Sequence, residues 1–156
     1  MIELSHVLAL IAIIGTGVVY GTDVFCAVVL RPALARVDDA TLAATAGNVH
    51  LFGDRRMPIP GVVGLVGSAA AAVLAAVAGA SLASASAGAA LVLLLVWLLL
   101  YVRISAPINR TLTAAAEAHE TPADVRVLQR DWDRIIVPRA LLQGLALVAL
   151  CISMLG

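Results

Sequence analysis

Asp23 is the residue of this sequence whose position most strongly indicates chemistry. It is the only charged residue in the apolar run 4–30, which is long enough to cross a bilayer core that needs about 20 apolar residues. A carboxylate inside such a run costs about 2.5–3.5 kcal/mol on insertion scales, so it is expected to face a protein interior or a water-filled cavity. Asp23 is predicted either to serve the function directly or to pair with an arginine that fixes helix packing.

Arg139 is the expected partner of Asp23. Counted from the same side of the membrane, Arg139 lies about one turn inside the last apolar run and Asp23 about two turns inside the first. At about 1.5 Å of rise per residue, their depths are compatible. Pro138 removes a backbone donor beside Arg139 and is expected to kink the helix. Gln143 follows four residues after Arg139, so it adds an amide to the same helix face.

Three histidines raise the question of a metal site. His6 lies near the outer end of the first apolar run, about 36 Å of helix from the inner end, whereas His50 and His119 lie outside the runs. The three therefore cannot form one site. His50 and Asp54 are spaced i, i+4 and could offer two ligands, but such pairs are common by chance. The sequence predicts no bound metal and no haem.

Membrane-spanning helices must position these residues. The chain is 62% hydrophobic and 13% charged, with a mean hydropathy of +1.05, which excludes an ordinary soluble domain. All ten basic residues are arginines and the formal net charge is zero, which argues against nucleic acid as a partner. The predicted fold is all-α, a single four-helix membrane domain over residues 1–156. Its spans are predicted at residues 4–30, 58–80, 83–104 and 135–155.

The arginines are distributed unequally about these spans. Nine of the ten lie between residues 31 and 57 or between residues 103 and 134, and the turn near Gly79 and the C-terminus carry none. The positive-inside rule therefore predicts that segments 31–57 and 105–134 are cytoplasmic and that both termini face outward. The predicted location is the cytoplasmic, or inner, membrane.

Start and stop signals refine the helices around the spans. Asp38 and Asp39 are predicted to open a helix in the first cytoplasmic segment. The third span is expected to end at Pro107. Thr121, with Pro122 at the first helical position, is predicted to cap a helix that leads into the last span.

Small residues are spaced for close helix packing. Gly17 and Gly21 form a GxxxG pattern in the first span, and the second span carries a small residue at every fourth position. That ladder consists of Gly64, Ser68, Ala72, Ala76 and Ala80. Because no hydrophobic effect drives helices together in lipid, such residues are expected to let the backbones approach. A compact bundle is predicted, with an oligomer left open.

Several sequence pieces, spread over most of the chain, resemble one family of membrane proteins. They are the glycine-containing first span closed by Arg31-Pro32-Ala33-Leu34, then Asn48, then Ala106-Pro107-Ile108-Asn109-Arg110-Thr111-Leu112, and Trp132 followed seven residues later by Arg139. This pattern is similar to that of the anthrone oxygenase-like proteins, a family of small four-span membrane proteins. The chain departs from it at Ile136, where the family tends to have asparagine, and Asp23 and His50 have no assigned counterpart.

The resemblance implies oxidation of an anthrone to an anthraquinone by molecular oxygen, with no evident organic cofactor or metal. Such a reaction needs a base, donors that hold an anion, and a dry pocket that admits oxygen. Asp23 or His50 is the candidate base, and Arg139 and Asn109 are the candidate anion holders. The candidate substrate-binding residues are Tyr20, Trp97, Trp132 and Gln143.

Simpler roles stay open. Asn109 can cap a helix over residues 110–118, Trp132 can anchor the chain at the membrane surface, and Arg139 can serve only the ion pair or contact a phosphate. Two alternatives to an oxygenase also stay open for the whole protein. One is a non-catalytic module that binds a membrane lipid or a partner protein through its arginine-bearing helices, and the other is a small proton-coupled transporter that uses Asp23.

Overall fold

The computed structural model describes residues 1–156, which are 88% helical and include no strand. The all-α prediction is therefore confirmed. The helices are, in chain order, α1 (Ile2–Phe25), α2 (Arg31–Leu34), α3 (Asp39–Arg56), α4 (Pro58–Val77), α5 (Ser81–Leu100), α6 (Ala106–Glu117) and α7 (Val125–Ser153). Two π-helical segments, Cys26–Leu30 and Tyr101–Ser105, join α1 to α2 and α5 to α6.

Four continuous helices are long and apolar enough to cross a membrane, as a multi-pass membrane protein requires. They cover Ile2–Leu34, Pro58–Val77, Ser81–Glu117 and Val125–Ser153. The prediction of four apolar helices of membrane-spanning length is confirmed.

The third of these helices continues through Pro107, so the prediction that it ends there is wrong. Pro107 is the second residue of α6, directly after the π-helical segment Tyr101–Ser105. The N–H of Ala106 donates to the carbonyl oxygen of Tyr101, five residues back. A proline has no N–H and crowds the α-helical turn before it, and the wider π turn accommodates it without ending the helix.

The same arrangement extends the first apolar helix, which ends at Leu34 instead of near Leu30. Pro32 is the second residue of α2, and the N–H of Arg31 donates to the carbonyl oxygen of Cys26 in the preceding π segment. Each π segment adds one residue to a turn. It thereby shifts the side chains before it by about 100° relative to those after it.

Of the two predicted helix starts, one is confirmed and one is wrong in position. Asp38 caps α3, because its side chain accepts a backbone N–H bond that also lowers the pKa of Asp38. Helix α7 begins before the predicted fourth span, as expected. Its first residue is Val125, however, and not Pro122 as predicted. The N–H of Val125 instead closes a turn onto the carbonyl oxygen of Pro122, and the Asp124 carbonyl oxygen accepts the first helical bond.

By packing, the chain divides into two compact units. The first unit consists of Met1–Gly21, Pro58–Leu98 and Leu141–Gly156. The second consists of Thr22–Met57 and Leu99–Ala140.

In the first unit, α1 and α4 approach closely through a glycine other than those predicted. A methyl group added at Gly15 would lie 2.7 Å from the carbonyl oxygen of Pro60. Methyl groups added at Gly17 and Gly21 would meet no atom within 4 Å, so the predicted GxxxG contact is wrong. Two residues turn an α-helix by about 200°, so Gly17 lies on nearly the opposite face from Gly15.

The buried face of α4 also departs from the predicted ladder. Gly64 and Ser68 are buried as expected, but Ala76 is exposed. The buried face continues through Ala71 and Ala75. Four residues turn a helix by about 400°, so a strict four-residue spacing drifts by about 40° at each step and leaves the core face.

Replacing Gly15 with alanine is expected to destabilise the protein by about 1–3 kcal/mol, because the backbone oxygen of Pro60 cannot move away from the added methyl group without shifting α4. The matched variant is Gly17→Ala, which is expected to change stability little or to raise it by up to about 1 kcal/mol. Denaturation in mixed detergent micelles measures both free energies of unfolding. Equal losses in the two variants would contradict this packing.

In the second unit, α3 and α6 pack with their backbones in contact. A methyl group added at Gly47 would overlap the carbonyl oxygen of Leu112 and the side chain of Ala116. Buried apolar side chains surround this contact, namely Leu34, Leu42, Ala43, Ala46, Leu112 and Val125. This packing fixes the faces of α3 and α6 that carry the polar residues described next.

Candidate functional site

A buried ion pair joins α1 to α7 within the second unit. Arg139 Nη2 donates to Asp23 Oδ1 at 2.9 Å, and Arg139 Nη1 donates to Ser105 Oγ at 2.8 Å. Asp23 is 4% exposed and Arg139 is 5% exposed. The predicted pairing of Asp23 with Arg139 is confirmed, and Ser105 is an additional partner.

Asp54 of α3 is the acceptor of a second cluster. The Tyr101 hydroxyl donates to Asp54 Oδ1 at 2.8 Å, and Asn109 Nδ2 donates to the same oxygen at 2.9 Å. Both bonds use the same carboxylate oxygen, Oδ1. Asp54 and Tyr101 are partly exposed, whereas Asn109 is buried.

Asn109 is held at both ends of its amide. Its Nδ2 donates to Asp54, and its Oδ1 accepts the indole N–H of Trp132 at 3.0 Å. Asn109 lies inside α6, so the alternative in which it caps a helix over 110–118 is wrong. Trp132 is 5% exposed, so the alternative in which it anchors the chain at the membrane surface is wrong as well.

A cation–π contact connects the two clusters. The guanidinium carbon of Arg139 lies 5.4 Å from the centre of the Tyr101 ring. The Trp132 ring lies 5.2 Å, centre to centre, from the imidazole of His50. We call the connected set the polar network; its members are Asp23, His50, Asp54, Tyr101, Ser105, Asn109, Trp132 and Arg139.

His50 contributes a neutral imidazole to this network. Burial, which has the largest effect, and the nearby positive charge of Arg139 together lower its pKa from 6.5 to about 4, against an opposing effect of Asp54. At neutral pH the imidazole is therefore uncharged. It lies one helical turn before Asp54 on α3.

Folding stability is expected to fall as the pH drops from 6.5 towards 4. Above pH 6.5 His50 is neutral in both the folded and the unfolded chain, so its protonation does not lower the free energy of unfolding there. Below 6.5 the unfolded chain binds a proton that the folded chain refuses until about pH 4. Between pH 6.5 and pH 4 this lowers the free energy of unfolding by about 3 kcal/mol.

Unfolding midpoints measured across this pH range test the prediction. His50→Gln should remove this part of the pH dependence, while His119→Asn, at an exposed position, should keep it. An unchanged slope in the His50 variant would show that His50 is not the titrating group.

The remaining predicted substrate-binding residues belong to the first unit. There the Tyr20 ring lies next to Gly144, where an added methyl group would come within 3.2 Å of it. Trp97 is buried, with its ring 3.6 Å from the position of a methyl group added at Gly61. Gln143 is buried.

Sequence reasoning missed three members of the network, namely Asp54 as a central acceptor, Tyr101 and Ser105. Asp54 gave one signal, its i, i+4 spacing from His50. Tyr101 and Ser105 begin and end the second π-helical segment, whose extra residue sets their direction relative to Asn109. A π segment has no clear sequence pattern apart from the following proline.

Groups of three or more His, Cys, Asp or Glu side chains that could hold a metal ion are absent from the structure. The network instead combines two carboxylates, a neutral imidazole, an amide, a phenol, a hydroxyl, an indole and a buried guanidinium. These groups can accept a proton at Asp54 and stabilise a nearby anion through Asn109 and Arg139.

No protein-family model matches the chain, and neither a curated protein nor a solved structure matches it. The fold and the polar network therefore form the structural basis for the function proposed below.

Proposed function

We propose that this chain is a membrane oxygenase that removes a proton from a lipophilic phenol or anthrone and exposes the resulting anion to molecular oxygen. The observation that carries the proposal is the Asp54 carboxylate. It already accepts a phenolic hydroxyl, that of Tyr101, at one oxygen, Oδ1, and its second oxygen takes no part in that bond. The resemblance to the anthrone oxygenase-like proteins supplies the reaction class.

The proposal assigns the base to Asp54, in place of Asp23 or His50. Asp23 is occupied by Arg139 inside the protein. The His50 ring lies against the Trp132 ring, and no phenolic group is placed against it as Tyr101 is against Asp54. A general base must lie within about 2.6–3.2 Å of the atom that yields the proton, and the phenolic oxygen of Tyr101 lies 2.8 Å from Asp54 Oδ1, which supports this assignment.

Two donors are placed to hold the anion that forms. Asn109 presents its Nδ2 at the Asp54 carboxylate, and the Trp132 indole prevents its amide from rotating. Arg139 holds a positive charge over the Tyr101 ring. Fixed donors in a dry environment stabilise developing charge without reorganising during the reaction.

Asp23 and Ser105 act as positioning residues in this proposal. They bind the two terminal nitrogens of Arg139 and hold its guanidinium against Tyr101. A guanidinium that is free to rotate loses conformational entropy when it binds an anion. Because Asp23 and Ser105 already fix the guanidinium of Arg139, substrate binding does not carry that cost.

The proposed reaction balances with molecular oxygen as the only oxidant. The base takes one proton from the methylene carbon of the anthrone, and the carbanion uses its electron pair to form a carbon–oxygen bond with O₂. The resulting peroxide is protonated, its O–O bond and the second C–H bond break, and the carbon becomes a carbonyl as water leaves. One O₂ is consumed and one water is formed for each anthraquinone.

Oxygen uptake by the purified protein tests the proposal. Protein in detergent is mixed with anthrone, and oxygen consumption and anthraquinone absorbance are followed together, with protein-free and heat-denatured samples as controls for autoxidation. The expected result is a rate above both controls, with one O₂ consumed per anthraquinone. A rate equal to autoxidation at all protein concentrations would refute the proposal.

A further inference from the structure

A cleft in the second unit is lined by residues that the polar network does not use. It has a volume of about 420 Å³. Its polar lining consists of Arg31, which opens α2, and of Arg126, Gln129, Arg130 and Asp133 on α7.

Two of the three arginines have donors available for a ligand. Arg126 is occupied, since its guanidinium donates to the Asp39 carboxylate and to the carbonyl oxygens of Leu34 and Val37. Arg31 is 47% exposed and lies 3.6 Å from Asp133, longer than a hydrogen bond. Arg130 uses only its Nε, on the carbonyl oxygen of Arg126. Arg31 and Arg130 can therefore bind an anion in the cleft.

The cleft also contains a buried acceptor that lacks a donor. Gln129 is 7% exposed, and its Nε2 donates to Asp133 Oδ1 at 2.8 Å. Its Oε1 is buried and has no hydrogen-bond partner. Buried polar atoms are seldom left unsatisfied, because their lost hydration is not replaced. A fitting ligand would bring an N–H or O–H group to this oxygen as well as an anion to the arginines.

We propose that this cleft binds the headgroup of a phospholipid whose phosphodiester is followed by a hydrogen-bond donor, as in ethanolamine or glycerol headgroups. The phosphate lies against Arg31 and Arg130, and the ammonium or hydroxyl group reaches Gln129 Oε1 and Asp133. Basic pockets beside membrane helices are known sites for phospholipid headgroups. This inference is independent of the proposed oxygenase activity.

The residues before Arg31 favour a lipid over a soluble phosphate ester. Phe25, Val28 and Val29 are 54%, 67% and 50% exposed, and they lie in the apolar helix that ends in α2. They provide an apolar surface for acyl chains within about two helical turns of Arg31 along the same helix, and a soluble ester has no group to cover it.

Lipid binding to the full chain tests this inference. The protein in a non-ionic detergent is titrated with dioleoyl phosphatidylethanolamine, phosphatidylglycerol or phosphatidylcholine, and bound lipid is counted by native mass spectrometry. Phosphatidylcholine has the phosphate but no N–H or O–H donor, so it is expected to bind about 10-fold more weakly than the other two. Equal binding of all three would refute the donor requirement.

Variants separate the two parts of the headgroup. Arg31→Gln combined with Arg130→Gln is expected to weaken all three lipids by about 10-fold or more, whereas Arg134→Gln, at a side chain that is 79% exposed on the same helix, should leave binding unchanged. Gln129→Leu should retain binding but lose the preference over phosphatidylcholine. Unfolding midpoints show whether each variant is folded, and unchanged lipid binding in the double variant would overturn the site.

A soluble headgroup distinguishes the lipid from a free phosphate ester. Glycerophosphoethanolamine, which carries the same phosphodiester and ammonium without acyl chains, is expected to bind much more weakly than the lipid. If it binds as tightly, the cleft is a site for soluble phosphate esters and the assignment to a lipid is wrong.

Discussion

Anthrone oxidation is expected to fall by about 10²–10⁴-fold when Asp54 is replaced by asparagine, the range that a positioned general base contributes. Asparagine keeps an oxygen that can accept from Tyr101 and Asn109, so the hydrogen bonds that hold the network are retained. What is lost is the negative carboxylate oxygen that takes the proton. The loss should therefore lie in kcat, with little change in the unfolding midpoint.

Asp131→Asn is the matched control for this experiment. Asp131 is a carboxylate on α7 that is 49% exposed and pairs with Arg134, outside the polar network. Oxidation should continue at the wild-type rate in this variant. A similar loss of activity in both variants, or full activity in Asp54→Asn, would remove Asp54 from the role of base.

Replacing Arg139 with glutamine is expected to lower the free energy of unfolding by about 3–5 kcal/mol, the cost of breaking a buried ion pair by removing one partner. Asp23 would then keep its charge inside the protein with no cation to balance it. Ser105 would also lose its guanidinium donor. Denaturation in mixed detergent micelles measures the change.

A double variant shows whether the cost arises from the unbalanced charge. Asp23→Asn combined with Arg139→Gln replaces the ion pair by two neutral amides and should recover at least half of the lost stability, because no charge stays buried alone. Arg134→Gln, at an exposed arginine on the same helix, should change stability by no more than about 0.5 kcal/mol. A double variant as unstable as Arg139→Gln would attribute the loss to packing.

The pairing of Asp23 with Arg139 was predictable from sequence because burial of charge is so restrictive. A carboxylate within an apolar run needs a cation at a matching depth, and Arg139 is the arginine that lies inside the last apolar run. The two residues are 116 positions apart, yet the depth argument alone brought them together. The four apolar helices were predictable for a related reason, since the length and composition of a span are local properties of the chain.

The hydrogen bonds of Asn109 and Trp132 were not predictable from local patterns. An asparagine near the start of a helix commonly caps it, and a tryptophan between charged residues commonly lies at a membrane surface. In this fold each residue finds a partner on another helix, and their mutual bond replaces both local roles. The Asp54 carboxylate is a further case, because its two donors are 47 and 55 residues away.

Helix geometry explains two further differences, at Tyr101 and at Ala76. Regular 3.6-residue periodicity places Tyr101 about 100° away from the direction it takes once an extra residue is inserted before α6. The hydroxyl of Tyr101 then reaches Asp54. Likewise, the drift of a strict four-residue ladder moves Ala76 to the surface of α4, although its residue type suits a helix contact.

Deuterium uptake by anthrone without oxygen is the measurement that tests the central claim most directly, because proton removal by Asp54 precedes any reaction with O₂. Under anaerobic conditions in D₂O, the protein should exchange the methylene hydrogens of anthrone, read by mass spectrometry, faster than a protein-free sample does. The account predicts that Asp131→Asn retains this exchange and that Asp54→Asn reduces it to the protein-free rate. Exchange no faster than the protein-free rate in the wild-type protein, or undiminished exchange in Asp54→Asn, would contradict it.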